Sequence, residues 1–240
     1  MSEYDIERYR RQIPLLGNEG QERMRRAGVL IAGAGGLGTV VAAHLAAAGA
    51  GFLRLADNDK VELSNLNRQL LYTPADIGRE KAAVATGKLG DFNSSIRVEG
   101  VHITIDDGTV NELIKDIDII VDALDNFTTR FILNKAAFGC CIPLIHGAVR
   151  GFFGQVATLI PGKTGCLQCL FAQSPTAETF PILGTTCGVI GSIQATEAIK
   201  VISGRGETLA NRLFFWDGLA GDATVIETKR NPDCTVCGKG

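Results

Sequence analysis

Apolar positions along the chain change period several times, and each change predicts an element. Gly28-Val-Leu-Ile-Ala-Gly33 is a continuous apolar run, short enough to predict a buried parallel strand. The Ala-rich stretch from Leu37 to Ala48 has the length of a helix. Gly51 to Ala56 predicts the next strand, ending in Asp57-Asn58-Asp59. The alternation continues with a helix over Arg79–Phe92, a strand over Ile96–Val101 and a short helix over Val110–Lys115. It ends with a strand over Ile117–Val121, a helix over Thr128–Phe138 and a strand over Ile142–His146. Before the series lie a charged helical segment, Glu3–Arg11, and a second helix from Asn18, a plausible N-cap, to Arg26. After it the order changes. Gly154–Ile160 reads as an isolated strand and Gly188–Ile202 as a helix. Arg212–Trp216 and Thr224–Lys229 read as an antiparallel pair across Asp217-Gly218.

Strands alternating with helices over 28–148 predict an α/β fold with a Rossmann-like, mostly parallel sheet flanked by helices. The mixed tail, 149–240, extends that sheet by antiparallel strands. No repeat or long linker divides the 240 residues, so 1–240 reads as one domain. The apolar stretch Gly28–Leu53 could be taken for a membrane span. Glycines at 28, 33, 35, 36, 38, 49 and 51 interrupt it, and the strand–turn–helix–strand reading accounts for them.

Composition narrows the function. Hydrophobic residues are 45% and charged residues 21%, ordinary globular values that argue against disorder. With 24 Lys+Arg against 26 Asp+Glu, the net charge of −2 gives no bulk attraction to nucleic acid or an anionic membrane. The charged start, Met1–Gln12, has no apolar leader, and the 7 cysteines are odd in number. Both features point to a reducing cytoplasm.

Gly33-Ala34-Gly35-Gly36-Leu37-Gly38 is a G-x-G-x-x-G between a predicted strand and helix. Glycines let the backbone approach phosphate, and the helix start offers N–H donors. Asp57 and Asp59 end the next strand, where a carboxylate can accept from ribose hydroxyls. Alone, this motif reads as an NAD-dependent oxidoreductase, or as a tight turn with no ligand. The following residues favour a triphosphate. Asn65, Arg68 and Gln69, then Lys81, then Asp125 and Asn126 fall at predicted carboxyl ends of the same sheet. Arg offers a fork to phosphate oxygens, Lys a point charge and Asp a hard oxygen ligand for Mg²⁺. Hydride transfer has no use for that set.

Cys166-Leu-Gln-Cys169 and Cys234-Thr-Val-Cys237 supply four thiolates, which suit a closed, tetrahedral structural Zn²⁺. Cys140 and Cys141 end an apolar helix and read as core. Cys187 abuts a predicted helix start and reads as structural, as do His44, His102 and His146.

These stretches together resemble the ubiquitin-activating-enzyme-like adenylyltransferases of the MoeB, ThiF and HesA type. The resemblance runs through Arg8–Ile13, Gly33–Gly38, Asp57–Asp59, Ser64–Gln69, Gly78–Lys81, Asp122–Asn126, both cysteine pairs and Gly188–Lys200. It implies ATP-dependent adenylation of the C-terminal Gly carboxylate of a small ubiquitin-like sulfur-carrier protein ending in Gly-Gly, with pyrophosphate released. A separate sulfur donor would then attack the adenylate. It further implies that Asp59, with Asp57 a weaker choice, binds ribose. Asn65, Arg68 and Lys81 hold phosphates, Gln69 supports the nucleotide, and Asp125 carries Mg²⁺. A homodimer is implied, with Arg11 reaching the neighbour's site and the 149–240 part docking the carrier. The cysteine that forms a covalent carrier adduct in some members falls here at about Ala177. That departure puts a covalent sulfur-transfer step in doubt and leaves adenylation intact. A zinc-bearing scaffold with an inactive nucleotide fold fits less well, because the charged set is intact.

Overall fold

The computed structural model describes residues 3–171 and 180–238; Ala177 lies outside the described residues. In chain order the elements begin with α1 (Glu3–Arg8), α2 (Ile13–Arg26), β1 (Gly28–Ala32), α3 (Gly36–Ala48) and β2 (Phe52–Asp57). Next come α4 (Lys81–Phe92), β3 (Arg97–His102), α5 (Val110–Leu113), β4 (Ile119–Asp122), α6 (Phe127–Gly139) and β5 (Leu144–Arg150). The tail holds β6 (Phe153–Leu159), α7 (Leu167–Leu170), α8 (Gly184–Ser203), β7 (Arg212–Asp217) and β8 (Asp222–Glu227).

The strands of the described residues join one 8-stranded sheet in the order β3-β2-β1-β4-β5-β6-β7-β8. The strands from β3 to β5 are parallel neighbours, and β6, β7 and β8 follow antiparallel. The order reverses between β1 and β4, which opens a crevice beyond their carboxyl ends, the usual ligand position in such sheets. β1 is buried along its whole length, so both its faces need cover. Val29 and Ile31 face the core under α3 and α8, while Leu30 and Ala32 face the core under α5, α6 and α7. That alternation follows from the two-residue period of a strand.

Several boundaries differ from the sequence-based expectation. The first helix stops at Arg8 and the chain turns through Tyr9–Gln12. Pro14 sits in the first turn of α2, where its missing N–H costs nothing, and it blocks a continuous helix from α1. Within α2 only Gly17 leaves helical geometry, at φ 73°, and helix resumes at Asn18. The predicted isolated strand is β6, paired on both sides. Gly154 lets Ile190 of α8 lie on it, since a Cβ there would meet Ile190 Cγ1 at 2.2 Å. α8 starts earlier than predicted, so Cys187 lies within its first turns. Cys140 and Cys141 are exposed, contrary to the core reading, because α6 ends there and Cys141 turns the chain at φ 57°. Among the described residues no helix is long and apolar enough to cross a membrane.

Candidate functional site

The glycine loop leaves β1 and enters α3 at the crevice. Gly33 has φ 95°, and a Cβ there would meet the Ala123 carbonyl oxygen at 2.7 Å. A Cβ on Gly38 would lie 1.8 Å from the Gly33 carbonyl oxygen, so only glycine closes this turn. Gly36 packs on Cys187, whose Sγ would stand 2.7 Å from an added Cβ. Gly35 has no such crowding. Its nearest neighbour is Gln69 Nε2 at 3.7 Å, so its missing side chain leaves open space above the loop.

Asp57 holds the loop. Its Oδ2 accepts from Ala34 N at 2.7 Å and its Oδ1 from Asp59 N at 2.8 Å. Burial pushes its carboxyl up from the ordinary value, against the pull of those N–H donors. Tyr72 closes the far side, donating to the Ala34 carbonyl at 2.8 Å, with the Lys81 carbonyl 3.3 Å away. Burial pushes its phenol well above the usual range.

Lys81 opens α4 and is buried, its side chain 6% exposed, while its partner Asp59 is 62% exposed. The Nζ–Oδ2 distance is 2.7 Å. A buried ammonium is thus aimed at the crevice through a carboxylate that water already reaches.

The segment carrying Asn65, Arg68 and Gln69 is a short 3₁₀ turn, Leu63–Asn65, and the turn after it. Asn65 is buried, and its Oδ1 accepts from Glu62 N at 3.0 Å. Arg68 donates to the Ser64 carbonyl at 2.8 Å and to Asn67 Oδ1 at 3.0 Å. Its stem lies 3.6 Å from the Cβ position of Gly36, which places it against the glycine loop. Gln69 is buried, and its Oε1 has no hydrogen-bond partner among the described residues. Lys88 anchors the same segment, donating to the Leu71 carbonyl at 2.6 Å and pairing with Asp76. That pairing holds the Asp76 carboxyl at about 2.

Asp125 follows β4 on a loop whose residue Ala123 touches Gly33. Its carboxylate is exposed, with Asn126 Nδ2 3.4 Å from Oδ1, so hard oxygens remain for a cation. Asn126 caps α6, its Oδ1 accepting from Thr129 N at 2.9 Å. Glycine loop, Asp57, Asp59, Lys81, Arg68, Gln69 and the Asp125 loop therefore share one end of the sheet. Arg11 stands apart. It lies exposed in the turn before α2, and the next residue, Gln12, donates to the Ala48 carbonyl at 2.8 Å. Ala48 ends α3, whose 13 residues span about 20 Å from the loop.

Below the crevice lies a buried polar cluster that sequence reasoning missed, apart from a structural reading of His146. Asp122 Oδ2 meets His146 Nδ1 at 2.7 Å, and its Oδ1 accepts from Leu124 N at 3.1 Å. Arg130 Nε stands 3.4 Å from Asp122 Oδ1, and its guanidinium donates to the Gly147 carbonyl at 2.9 Å and to the Leu124 carbonyl. Burial pushes the His146 imidazole down, so it is neutral at pH 7 and donates to Asp122. Gln194 of α8 donates to the Asp122 carbonyl at 2.8 Å. A cation among the apolar residues of α6 was the one available sequence signal.

The four sulfurs of Cys166, Cys169, Cys234 and Cys237 lie within 4.8 Å of one another. Cys166–Cys234 is 3.6 Å and Cys169–Cys237 is 3.4 Å, far from disulfide contact. Tetrahedral zinc with bonds of about 2.3 Å sets sulfurs about 3.8 Å apart, so the cluster has the right size and chemistry. Asn231 N donates to Cys169 Sγ at 3.4 Å, and Gly238 N to the Cys234 carbonyl at 2.8 Å, so backbone N–H groups hold the cysteine turn. Cys187 is different. It is buried, and its thiol is pushed up to about 11 by desolvation, the wrong direction for a nucleophile.

Comparison with known proteins agrees with this geometry. The pattern of the ThiF family matches residues 9–236. The chain is 41% identical over 247 residues to a sulfur carrier protein adenylyltransferase of Thermus thermophilus, covering 98% of this chain and 91% of that one. It is also 41% identical over 243 residues to the SAMP-activating enzyme E1 of Haloferax volcanii, covering 98% and 90%. Among solved structures, E. coli MccB with ATP superposes at a TM-score of 0.85 and 28% identity, covering 96% of this chain and 73% of that one. With the family pattern matched over 9–236 and near-full-length relatives at 41% identity, the chain belongs to the ThiF family.

Proposed function

We propose that this protein adenylates the C-terminal Gly carboxylate of a small ubiquitin-like sulfur-carrier protein, using Mg·ATP and releasing pyrophosphate. The observation that carries the reading is the buried Lys81 ammonium facing the crevice beside Asp59, at the same sheet end as the glycine loop and Arg68. Named relatives supply the substrate class: one is a sulfur carrier protein adenylyltransferase and another a SAMP-activating E1.

A carboxylate attacking an α-phosphorus brings two anions together, so fixed positive charge is the main requirement. Lys81 and Arg68 neutralise phosphate oxygens, the loop N–H groups receive phosphate at the start of α3, and Asp59 accepts from ribose. Asn65 and Gln69 border the same space, with Gln69 Nε2 3.7 Å from the Cβ position of Gly35. Asp125 is the hard ligand for Mg²⁺, which when bound screens the phosphate charge. No general base is needed, because the attacking carboxylate is ionised at pH 7. Calorimetric titration tests the nucleotide. Mg·ATP should bind and NADH should not; NADH binding without ATP binding would restore the oxidoreductase reading.

Arg11 supports a homodimer in this reading. At the far end of α3 it is remote from its own glycine loop, so it serves a site only if a neighbour's loop comes to it. Mixing Arg11→Ala with Asp125→Ala protein should restore part of the activity lost in each, since one site of the heterodimer is then intact. Verified subunit exchange with no recovery would assign Arg11 no role across the interface.

The four-thiolate cluster fits one structural zinc per chain. It ties the segment after β8 to the segment after β6, while a large core stands without it. Elemental analysis should find one zinc per chain. Cys234→Ser should lose the metal and lower Tm while ATP still binds. A folded protein with no metal and four freely titratable thiols contradicts the site. The sulfur donor acts as a separate partner, and carrier docking is assigned to the 149–240 part.

A further inference from the structure

We infer that Arg130 is a positioning residue that sets the Asp125 carboxylate for the cation of the bound nucleotide; this rests on the adenylation reading above. Asp125 has little of its own to hold it. Its one side-chain contact among the described residues is the long 3.4 Å approach of Asn126 Nδ2. Its place is therefore fixed by the backbone just before it, and that backbone is held at Leu124 from both sides. The Leu124 N–H donates to Asp122 Oδ1 at 3.1 Å, and the Leu124 carbonyl accepts from Arg130. Asp122 and Arg130 are themselves an ion pair, 0% and 4% exposed. One buried pair thus clamps both polar groups of the residue that precedes Asp125.

The clamp is anchored beyond the loop. The Arg130 guanidinium also donates to the Gly147 carbonyl of β5 at 2.9 Å and sits 5.1 Å over the Phe127 ring. Asp122 is backed by His146 at 2.7 Å, and Gln194 Nε2 holds the Asp122 carbonyl. The Asp125 loop is therefore tied to β4, β5, α6 and α8 through one fork-shaped cation. A planar guanidinium can reach two carbonyls and a carboxylate at once; a lysine ammonium keeps the charge and loses that geometry.

The test is Arg130→Lys, read by Mn²⁺ binding to the ATP-loaded protein, by electron paramagnetic resonance, alongside Tm. Mn²⁺ stands in for Mg²⁺ and needs no turnover. Wild type should bind Mn²⁺·ATP, and Arg130→Lys should weaken the cation on the order of 10-fold, with ATP binding in chelator little changed. In an Asp125→Ala background, Arg130→Lys should weaken the cation no further, because residues acting as one unit are not additive. Equal cation affinity in wild type and Arg130→Lys overturns the inference and leaves the adenylation reading standing. So does an additive loss in the Asp125→Ala background. Wild type that binds no Mn²⁺·ATP overturns both. If Arg130→Lys fails to fold, Arg130→Gln and Asp122→Asn, which each loosen one side of Leu124, carry the same comparison, and unaltered cation affinity in them overturns it.

Discussion

Replacing Arg68 with Ala should lower carrier-dependent ATP–pyrophosphate exchange on the order of 100-fold, with little change in Tm. The size follows from removing one charge partner of a reacting phosphate in a prepared site, about 2.7 kcal/mol or more. The small effect on stability follows from what Arg68 touches. Its hydrogen bonds go to Ser64 and Asn67 of its own exposed segment, and no buried charge depends on it. Steady-state exchange together with a thermal melt checks both halves. Lys81→Ala should cost similarly in exchange, since the phosphate oxygens lose their buried ammonium, while Asp59, already 62% exposed, is left to water. A folded Arg68→Ala protein with near-normal exchange would move the phosphate site elsewhere.

Asp122→Ala should be the most destabilising single change in the crevice. It leaves the Arg130 guanidinium buried without its counter-ion and His146 without its acceptor. Breaking a buried pair on one side costs about 3–5 kcal/mol. For a chain of this size that lowers Tm on the order of 10 °C. Thermal melts with far-ultraviolet circular dichroism read it directly. A shift under a degree or two would show that the cluster relaxes or takes in water. The same cluster gives wild type a pH signature. Burial holds the His146 imidazole below its ordinary value, so the unfolded chain takes up that proton first. Stability should therefore fall as pH drops below about 6.5. Burial opposes ionisation of Asp122, but the Arg130 charge and the His146 bond outweigh it and hold the carboxyl low. Its contribution is present above about pH 3.9 and is lost as pH falls through its folded value, so both groups make acid destabilising.

The parts of this molecule legible from sequence are those whose cause is local. The glycine loop is one: Gly33 and Gly38 are required by contacts a few residues away or at the adjoining strand end. β1 is another, because burial on both faces leaves an unbroken apolar run. The cysteine pairs were legible because each C-x-x-C spacing is local, and it is the spacing that suits a four-thiolate metal site. The Asp122–Arg130–His146–Gln194 cluster was not. Its members come from β4, α6, β5 and α8, and each alone looks ordinary. Cys140 and Cys141 misled for the same reason: an apolar helix predicts burial, but where that helix ends against solvent is a tertiary fact. The start of α8 was likewise hidden, since its N-cap is Leu183, which makes no side-chain cap, and the start is shaped by packing of Gly184 on Asn67 and Arg68.

The central claim is that the crevice joins a carrier carboxylate to AMP. Its most direct test is exchange of labelled pyrophosphate into ATP, measured with and without a ubiquitin-like sulfur carrier ending in Gly-Gly. Carriers are taken from the same host and tried one by one. The account predicts exchange that needs both Mg²⁺ and one such carrier, and that vanishes when the carrier's last glycine is removed. Mg·ATP binding with no exchange in the presence of any host carrier of this kind would contradict it.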